Sequence, residues 1–250
     1  MRPRVTLVHG FLGSPADWAD LLSALESGID CDCVSLRRDL DCSSVAHAAE
    51  TLAKRLAARP SELLVGYSLG GRIALECAAS QQLQGSRVLL LSTSPGIDPS
   101  VDGASARDER AKEDDARAAR LRADGIESFI DAWYWLPLFA SFRSHQSFAE
   151  ACLRRTDSSV EPDAEFWASC VAGCSPGRTV ARWSALAELA SRTTLAVGAQ
   201  DERYAALAQR AQRAAPNLRV HTIENAGHVL PLEAPAECAR LIESFLREKP

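Results

Sequence analysis

The sequence predicts an α/β protein, a mostly parallel, doubly wound sheet with a helical cap inserted before the last two strands. Six short apolar runs alternate with segments of helical character, which is the order of strand–helix–strand units. The runs show little polar alternation, as is typical of parallel strands that are buried on both faces. The alternation is interrupted between residues 97 and 183, where the sequence is polar and rich in arginine and alanine.

The apolar runs and the segments between them place the elements along the chain. Strands are predicted at Val5–Val8, Cys33–Leu36, Leu63–Val65, Val88–Leu91, Leu195–Val197 and Val220–Ile223. Helices are predicted at Val45–Ala58, Gly70–Ala79, Tyr204–Ala214 and Pro235–Arg247. A further helix is expected to begin at Ser14, because this capping residue is followed by Pro15 at the first helical position and Asp17 at the third.

The interruption divides the chain into a core of residues 1–96 and 184–250 and a segment of residues 97–183. That segment contains a cluster of aromatic residues between Trp133 and Phe139. A long helical insertion between two strands, at the edge of the sheet where active sites lie, is typical of a cap.

The composition is that of a globular protein, with 250 residues of which 46% are hydrophobic, enough to bury one large core. The net charge of −5 indicates neither a nucleic-acid nor an anionic-membrane partner. No apolar stretch approaches the roughly 20 residues that a membrane-spanning helix needs. The apolar run after Arg4 is too short for the core of a secretory signal peptide. A cytoplasmic location is therefore expected, with a trimmed organelle transit peptide as the open alternative.

The eight cysteines are expected to be reduced and mostly buried thiols. Cys31 and Cys33 fall in an apolar run, and Cys170 and Cys174 are one helical turn apart. Neither pair is matched by a second pair or by a histidine at the spacing of a zinc site. Because a second glycine-rich nucleotide motif is also missing, we expect neither a metal nor an organic cofactor.

A nucleophile motif lies between the third predicted strand and the helix that follows it. Residues 66–70 are Gly66-Tyr67-Ser68-Leu69-Gly70, a G-x-S-x-G sequence in the strand-to-helix context that forms a nucleophile elbow. The small residues are needed because a Cβ at these positions would collide with the neighbouring strand or helix. The turn exposes the hydroxyl of Ser68 and leaves the N–H of Leu69 at a helix N-terminus, where it can stabilise negative charge.

A glycine-rich turn, His9-Gly10-Phe11-Leu12-Gly13, follows the first predicted strand. Its backbone N–H groups are expected to face the elbow, and the N–H of Phe11 is the natural second donor of an oxyanion hole beside that of Leu69. A plain strand-to-helix turn has the same composition, and the two interpretations are compatible.

Asp201 and His228 complete a candidate catalytic triad with Ser68. Each follows a predicted strand, so all three are expected on loops at the same edge of the sheet. Their order along the chain, Ser then Asp then His, is that of hydrolases on a doubly wound sheet. The alternatives are that Asp201 only caps the helix beginning near Tyr204 and that His228 is a loop histidine with one backbone bond.

Longer strings surround these residues. They are Leu7–Ser14 with Asp17-Trp18, Gly66–Leu75, Ser94-Pro95-Gly96, Arg107-x-x-Arg110-x-x-x-Asp114, Trp133-Tyr134-x-x-Pro137-Leu138-Phe139, and Leu232–Pro235 after Gly227-His228. Together they resemble the α/β-hydrolase superfamily over nearly the whole chain. Within it they resemble the 2-succinyl-6-hydroxy-2,4-cyclohexadiene-1-carboxylate synthases of menaquinone and phylloquinone biosynthesis.

This resemblance implies a lyase that eliminates pyruvate from a succinyl-enolpyruvyl cyclohexene, a small-molecule substrate with several carboxylates. Ser68, activated by His228 and Asp201, would be the base. The positions that match the family's substrate site are Tyr67, Arg72, Arg107, Arg110, Trp133, Phe139 and Arg154. Guanidinium groups suit this substrate because they bind carboxylates through two parallel hydrogen bonds. The alternative for Arg107 and Arg110 is a solvated helix with ion pairs four residues apart.

The sequence departs from the family in two places. Residues 37–43 lack the Pro, Gly and His of the turn that commonly follows the family's second strand. The first predicted strand matches the family's third, so we expect the usual first hairpin to be missing.

Two other functions remain open on the same fold. A serine esterase or carbon–carbon bond hydrolase would use the same triad with water, and it would need no cluster of arginines. A ligand receptor without catalysis would typically have lost part of the triad.

Overall fold

The structure of the chain is a computed structural model that describes residues 2–80, 86–157 and 163–248. Within these residues six strands form one sheet in the order β2-β1-β3-β4-β5-β6, and every neighbouring pair is parallel. The strands are β1 (Arg4–Val8), β2 (Asp30–Val34), β3 (Leu63–Tyr67), β4 (Arg87–Leu91), β5 (Thr193–Gly198) and β6 (Arg219–Ile223). The predicted doubly wound parallel sheet is confirmed.

Helices follow the strands along the chain. Those before the fourth strand are α1 (Ala19–Ala24), α2 (Leu36–Asp39), α3 (Val45–Ala58) and α4 (Leu69–Ala79). Between β4 and β5 lie α5 (Pro99–Asp102), α6 (Ala106–Tyr134), α7 (Ala140–Arg143), α8 (Phe148–Thr156), α9 (Ala164–Gly173) and α10 (Trp183–Glu188). The last helices are α11 (Glu202–Ala214), α12 (Leu230–Glu233) and α13 (Pro235–Arg247). Short 3-10 turns span Pro15–Trp18, Pro137–Phe139 and Ala190–Arg192. Of the described helices, none has both the length and the apolarity to cross a membrane.

The predicted second strand was misplaced by two to three residues. It was expected at Cys33–Leu36, but β2 ends at Val34 and Leu36 begins α2. Register with β1 explains this, because Arg4 pairs with Asp30 and Val8, the last residue of β1, pairs with Val34. The polar start of β2 is tolerated at the edge of the sheet, where Asp32 accepts hydrogen bonds from Arg55 at 2.7 and 2.9 Å.

We call residues 97–183 the inserted segment; its residues 158–162, within the predicted cap, lie outside the described residues. Helix α6 packs along α9, and its axis is interrupted at Gly125, where φ is +75°. The segment returns to the core at Arg182, whose guanidinium forms two hydrogen bonds with the carboxylate of Glu76 on α4. The backbone N–H of Arg182 also donates to the carbonyl of Pro95 at 2.7 Å.

All eight cysteines are free thiols, as predicted. Cys42 in the core and Cys170 and Cys174 in the inserted segment are buried together, and the thiol of Cys174 donates to the carbonyl of Cys42 at 3.3 Å. Packing is tight at this point, because a Cβ on Gly173 would lie 2.1 Å from the carbonyl oxygen of Ser43. The end of α9 therefore rests directly on the loop that follows α2.

Helix α4 also rests directly on the sheet. A Cβ on Gly70 would lie 2.1 Å from the carbonyl oxygen of Val8 and 2.4 Å from that of His9. A Cβ on Gly71 would lie 1.8 Å from the hydroxyl of Thr93. Backbone atoms cannot move aside cheaply, so position 70 requires glycine, whereas a larger residue at position 71 would have to displace the side chain of Thr93.

Replacing Gly70 by alanine should lower the free energy of unfolding by about 2 kcal/mol or more, since the added methyl group must push α4 away from β1. Urea unfolding followed by circular dichroism measures this effect. The control is Ser80→Ala at the exposed C-cap of the same helix, which removes one hydrogen bond to the carbonyl of Cys77 and should lower stability by no more than about 1 kcal/mol. Equal stability of Gly70→Ala and the wild type would contradict the close approach of α4 to β1.

Candidate active site

Ser68 lies at the junction of β3 and α4 in a backbone conformation that side-chain-bearing residues rarely adopt. Its φ is +50° and its ψ is −109°. Its N–H donates to the carbonyl of Leu91 at 2.9 Å, which ties the junction to the neighbouring strand β4. Strain of this kind is kept only where the surrounding structure enforces it. Here the close packing of β3 and α4 enforces the conformation of Ser68. Glycines at 66, 70 and 71 make this packing possible, because a Cβ at any of these positions would clash. The predicted nucleophile elbow is therefore formed.

Ser68, His228 and Asp201 form one chain of hydrogen bonds. The hydroxyl of Ser68 lies 3.2 Å from Nε2 of His228, and Nδ1 of His228 lies 2.7 Å from Oδ2 of Asp201. Because an ionised carboxylate only accepts, the proton of the imidazole belongs on Nδ1, which leaves Nε2 to accept from Ser68. His228 is 2% exposed and Asp201 is 4% exposed, so water competes little for these contacts.

Asp201 also caps the helix that follows it. Its Oδ1 accepts a hydrogen bond from the N–H of Tyr204 at 3.1 Å, at the start of α11. The capping role that the sequence left as an alternative is therefore present together with the contact to His228. One carboxylate oxygen holds the helix and the other holds the imidazole.

His9 fixes the turn after β1. Its Nδ1 lies 2.9 Å from the carbonyl of Gly10, and its Nε2 accepts from the N–H of Leu36 at 3.1 Å. Burial lowers the pKa of His9, which keeps the ring neutral, as an accepting Nε2 requires.

The turn carries Phe11, and both Phe11 and Leu69 line the cavity beside Ser68. Leu69 is the first residue of α4, so its N–H has no carbonyl of its own helix to bond.

A cavity of about 600 Å³ opens in front of Ser68, between the core and the inserted segment. The predicted residues Tyr67, Trp133 and Phe139 line it. The ring of Phe139 packs edge-on against that of His228, with centroids 5.8 Å apart. Burial raises the pKa of Tyr67 well above its ordinary value, so its hydroxyl remains a neutral hydrogen-bond donor in the cavity.

Arg72 lines the cavity from the first turns of α4. Among the described residues its hydrogen-bond partners are neutral: the carbonyl of Cys174 at 2.6 Å and the hydroxyl of Thr179 at 3.5 Å. Burial lowers the pKa of Arg72, but an arginine keeps its charge at neutral pH. A half-buried cation whose hydrogen-bond partners are neutral attracts an anionic ligand.

Two further arginines share one buried carboxylate. Asp114, which is fully buried, accepts from Nε of Arg110 at 2.8 Å and from Nη1 of Arg117 at 2.5 Å. It also accepts from the hydroxyl of Ser175 at 2.7 Å. Both arginines line the cavity, and Arg117 lies over the ring of Trp133 with 5.8 Å between its guanidinium carbon and the ring centroid. Arg117 was not predicted from the sequence, although its spacing of seven residues from Arg110 puts the two on one helix face.

Two of the arginines implied by the resemblance lie elsewhere. Within the described residues the cavity lining includes neither Arg107 nor Arg154. Nε of Arg107 donates to the carbonyl of Gly177 at 3.1 Å, and Arg154 pairs with the exposed Glu150. The next residue, Arg155, lines the cavity instead.

Arg154 was predicted for the substrate site, but it is Arg155 that lines the cavity. The guanidinium of Arg155 pairs with Asp17 at 2.9 Å, and both side chains are buried. Consecutive helical residues point about 100° apart, so Arg155 faces the cavity, whereas Arg154 reaches Asp17 only at 3.5 Å and also pairs with Glu150.

Comparison with known proteins gives three relevant relatives. The chain matches the model of the Alpha/beta hydrolase family over residues 7–241. It is 30% identical to a 2-succinyl-6-hydroxy-2,4-cyclohexadiene-1-carboxylate synthase from Enterobacter sp. (strain 638), over 98% of this chain and 92% of the relative. The structure of MenH from S. aureus is similar with a TM-score of 0.87 and 25% identity, covering 99% of this chain and 94% of that chain. An esterase from Thermogutta terrifontis, with a TM-score of 0.75, 22% identity and coverage of 98% of this chain and 89% of that chain, shares the fold.

Replacing Asp201 by asparagine should lower kcat by several orders of magnitude and leave KM nearly unchanged. The amide oxygen can still cap α11, but the amide N–H₂ then faces Nδ1 of His228 and favours the tautomer with the proton on Nε2. Steady-state kinetics measure the loss, and thermal unfolding should show a nearly unchanged midpoint because the cap is kept. A large rise in KM with kcat intact would place Asp201 in the substrate pocket instead.

Proposed function

The chain belongs to the alpha/beta hydrolase family, and we infer that it is a 2-succinyl-6-hydroxy-2,4-cyclohexadiene-1-carboxylate synthase, a carbon–oxygen lyase on this fold. Its likeness to the Enterobacter synthase and to MenH extends over nearly the whole chain. The observation that carries the inference is the pairing of Ser68 and His228 at one end of a cavity whose walls hold surplus positive charge. The product of such a synthase has a ring carboxylate and the carboxylate of a succinyl side chain.

The charges in the cavity favour a substrate with more than one carboxylate. Arg110 and Arg117 carry two positive charges against the single buried negative charge of Asp114. Glu113 also contacts Arg117 at 3.3 Å, but it is an exposed side chain whose charge is screened by water. Arg72 adds a cation with neutral partners. A neutral ester would leave the surplus charge of these half-buried arginines without a counterion in the cavity, which costs free energy.

The proposed reaction is a proton abstraction followed by loss of enolpyruvate. The diene of the product begins at the ring carbon that bears the succinyl carbonyl, so the proton to be removed is α to a ketone. The Ser68 oxygen takes this proton while its own proton passes to Nε2 of His228. The electron pair of the broken C–H bond shifts through the ring. The C–O bond to enolpyruvate then breaks, its electrons leave with the oxygen, and the proton on His228 is given to that oxygen. The released enol tautomerises to pyruvate.

The surrounding groups support each charge that develops in this reaction. Asp201 stabilises the imidazolium of His228 and keeps its ring in one orientation. The N–H groups of Phe11 and Leu69 would bind the ketone oxygen as it becomes an enolate. The arginines would hold the carboxylates and so fix the ring over Ser68. This fixing matters because a small misplacement of the reacting atoms slows a proton transfer strongly.

The direct test is release of pyruvate from the succinyl-enolpyruvyl cyclohexene substrate, followed through NADH consumption by added lactate dehydrogenase. The pure protein should release pyruvate, and Ser68→Ala should lose several orders of magnitude of kcat. If the protein hydrolyses p-nitrophenyl esters and releases no pyruvate, it is a serine hydrolase and the lyase assignment is wrong. Near-normal pyruvate release by Ser68→Ala would make the elbow structural.

Replacing Arg72 by alanine should lower kcat/KM for this substrate ten- to more than a hundredfold, because a charge-assisted contact contributes about 1.5–3 kcal/mol. Arg72→Lys should retain only part of the wild-type kcat/KM, since an ammonium group lacks the planar, two-pronged geometry of a guanidinium group. The control is Arg122→Ala on α6, whose guanidinium pairs with Glu165 at the exposed surface. Turnover of a neutral p-nitrophenyl ester should hardly respond to Arg72→Ala. Equal losses on both substrates would contradict a carboxylate-binding role.

A further inference from the structure

We propose that Glu233 is a positioning residue for His228 and that, through Ser141, it ties the loop carrying His228 to the inserted segment. The inference rests on the proposed catalytic pairing of Ser68 with His228. Neither the triad nor the substrate site assigned above includes Glu233 or Ser141.

The carboxylate of Glu233 binds the backbone on both sides of His228. Its Oε1 accepts from the N–H of Gly227 at 3.1 Å, and its Oε2 accepts from the N–H of Val229 at 2.6 Å. These are the residues directly before and after the imidazole-bearing residue. Hydrogen bonds from N–H groups to an ionised carboxylate are shorter and stronger than those to a neutral acceptor. Glu233 therefore holds the main chain of the loop, whereas Asp201 holds the ring.

The same carboxylate reaches into the inserted segment. The hydroxyl of Ser141 on α7 donates to Oε1 of Glu233 at 2.6 Å. Ser141 lies two residues after Phe139, whose ring packs against that of His228. One contact between segment and core thus fixes both the loop and the aromatic ring beside the imidazole.

The glycine at position 227 shows how closely the loop carrying His228 approaches α7 of the inserted segment. A Cβ at this position would lie 1.9 Å from the hydroxyl oxygen of Ser141 and 3.2 Å from Oε1 of Glu233. Any residue larger than glycine would displace the side chain of Ser141 from its hydrogen bond with Glu233. The network of Gly227, Glu233 and Ser141 is therefore a single packed unit.

The distance between Ser68 and His228 makes their pairing sensitive to this unit. The hydroxyl oxygen and Nε2 are 3.2 Å apart, already long for an O–H donor. A further displacement of about half an ångström would break the hydrogen bond. Loosening the main chain at residues 227 and 229 would shift the imidazole without removing any group that touches the substrate.

The test measures the Ser68–His228 pair without the proposed substrate. A neutral alkyl fluorophosphonate is attacked by the oxygen of Ser68, which forms an O–P bond as fluoride leaves and the serine proton passes to His228. The rate of this labelling, followed by mass spectrometry, is compared with kcat and KM for pyruvate release. The variants are Glu233→Gln, Ser141→Ala and both together, with Glu237→Gln as the control. Glu237 lies on α13, and its carboxylate pairs with the exposed Arg240.

Glu233→Gln should lower the labelling rate and kcat about ten- to a hundredfold and leave KM within about twofold. The amide has one oxygen for three donors, and its N–H₂ group faces an N–H donor of the loop. Ser141→Ala should lower both rates by a smaller factor, and the double variant should be no worse than Glu233→Gln, because the two side chains act through one contact. Glu237→Gln should behave as the wild type.

Wild-type labelling and kcat in Glu233→Gln, with only a lower midpoint of unfolding, would overturn the proposal and make Glu233 purely structural. If Glu233→Gln does not fold, Ser141→Ala is the deciding variant. A wild-type labelling rate and kcat in Ser141→Ala would overturn the proposed link between the loop and the inserted segment. A wild-type protein that the fluorophosphonate does not label would overturn the serine–histidine pairing and this inference with it. Labelling that depends on Glu233 in a protein that releases no pyruvate would sustain this proposal and reject the lyase.

Discussion

Helix α4 rests on the backbone of β1 with no side chain between them, since a Cβ on Gly70 would lie 2.1 Å from the carbonyl oxygen of Val8. This contact forces the chain to turn sharply at Ser68, where φ is positive, and it directs the hydroxyl into the cavity. A conformation of this kind costs of order 1–3 kcal/mol. The buried sheet and the hydrogen bond from Ser68 to Leu91 offset that cost. The position of every other group in the site is defined relative to this turn.

The inserted segment is joined to the core by charged side chains that lie mostly out of water. Arg155 pairs with Asp17, and Arg182 pairs with Glu76. Ion pairs of this kind contribute little net stability, because desolvation opposes the attraction between the charges. Breaking one of them is costly, since the remaining charge stays buried. Their effect is therefore to hold one orientation of the segment, and with it the shape of the cavity.

The residues proposed to carry out the reaction and those proposed to select the substrate lie on different parts of this molecule. The chain of hydrogen bonds through Ser68, His228 and Asp201 serves hydrolysis and elimination equally, and the fold alone does not distinguish them. The surplus guanidinium charge favours a polycarboxylate, and it comes from α4 and from the inserted segment. A sheet that supplies the triad can thus take different substrates when the helices above it change.

The sequence by itself determined the sheet, the elbow and the triad, because each is a local signal repeated in a fixed order. Apolar runs placed five strands within two residues, and G-x-S-x-G between strand and helix placed Ser68. Parallel strands bring their carboxyl ends to one edge, so residues after β5 and β6 had to meet the elbow. The start of β2 was misplaced because its polar residues, Asp30 and Asp32, are stabilised by partners distant in sequence, Arg4 and Arg55.

Only the tertiary structure decided which side chains of the inserted segment face the cavity. Arg154 and Arg155 are neighbours in sequence, yet a rotation of about 100° per helical residue separates their directions. The choice between them depends on how α8 docks against Asp17. The roles of Arg117 and Glu233 were likewise not predicted, since the spacing from Arg110 and the string Leu232–Pro235 mark the positions but not the groups that they contact. Their roles arise from contacts with Asp114, Ser141 and the loop at His228, which packing brings together.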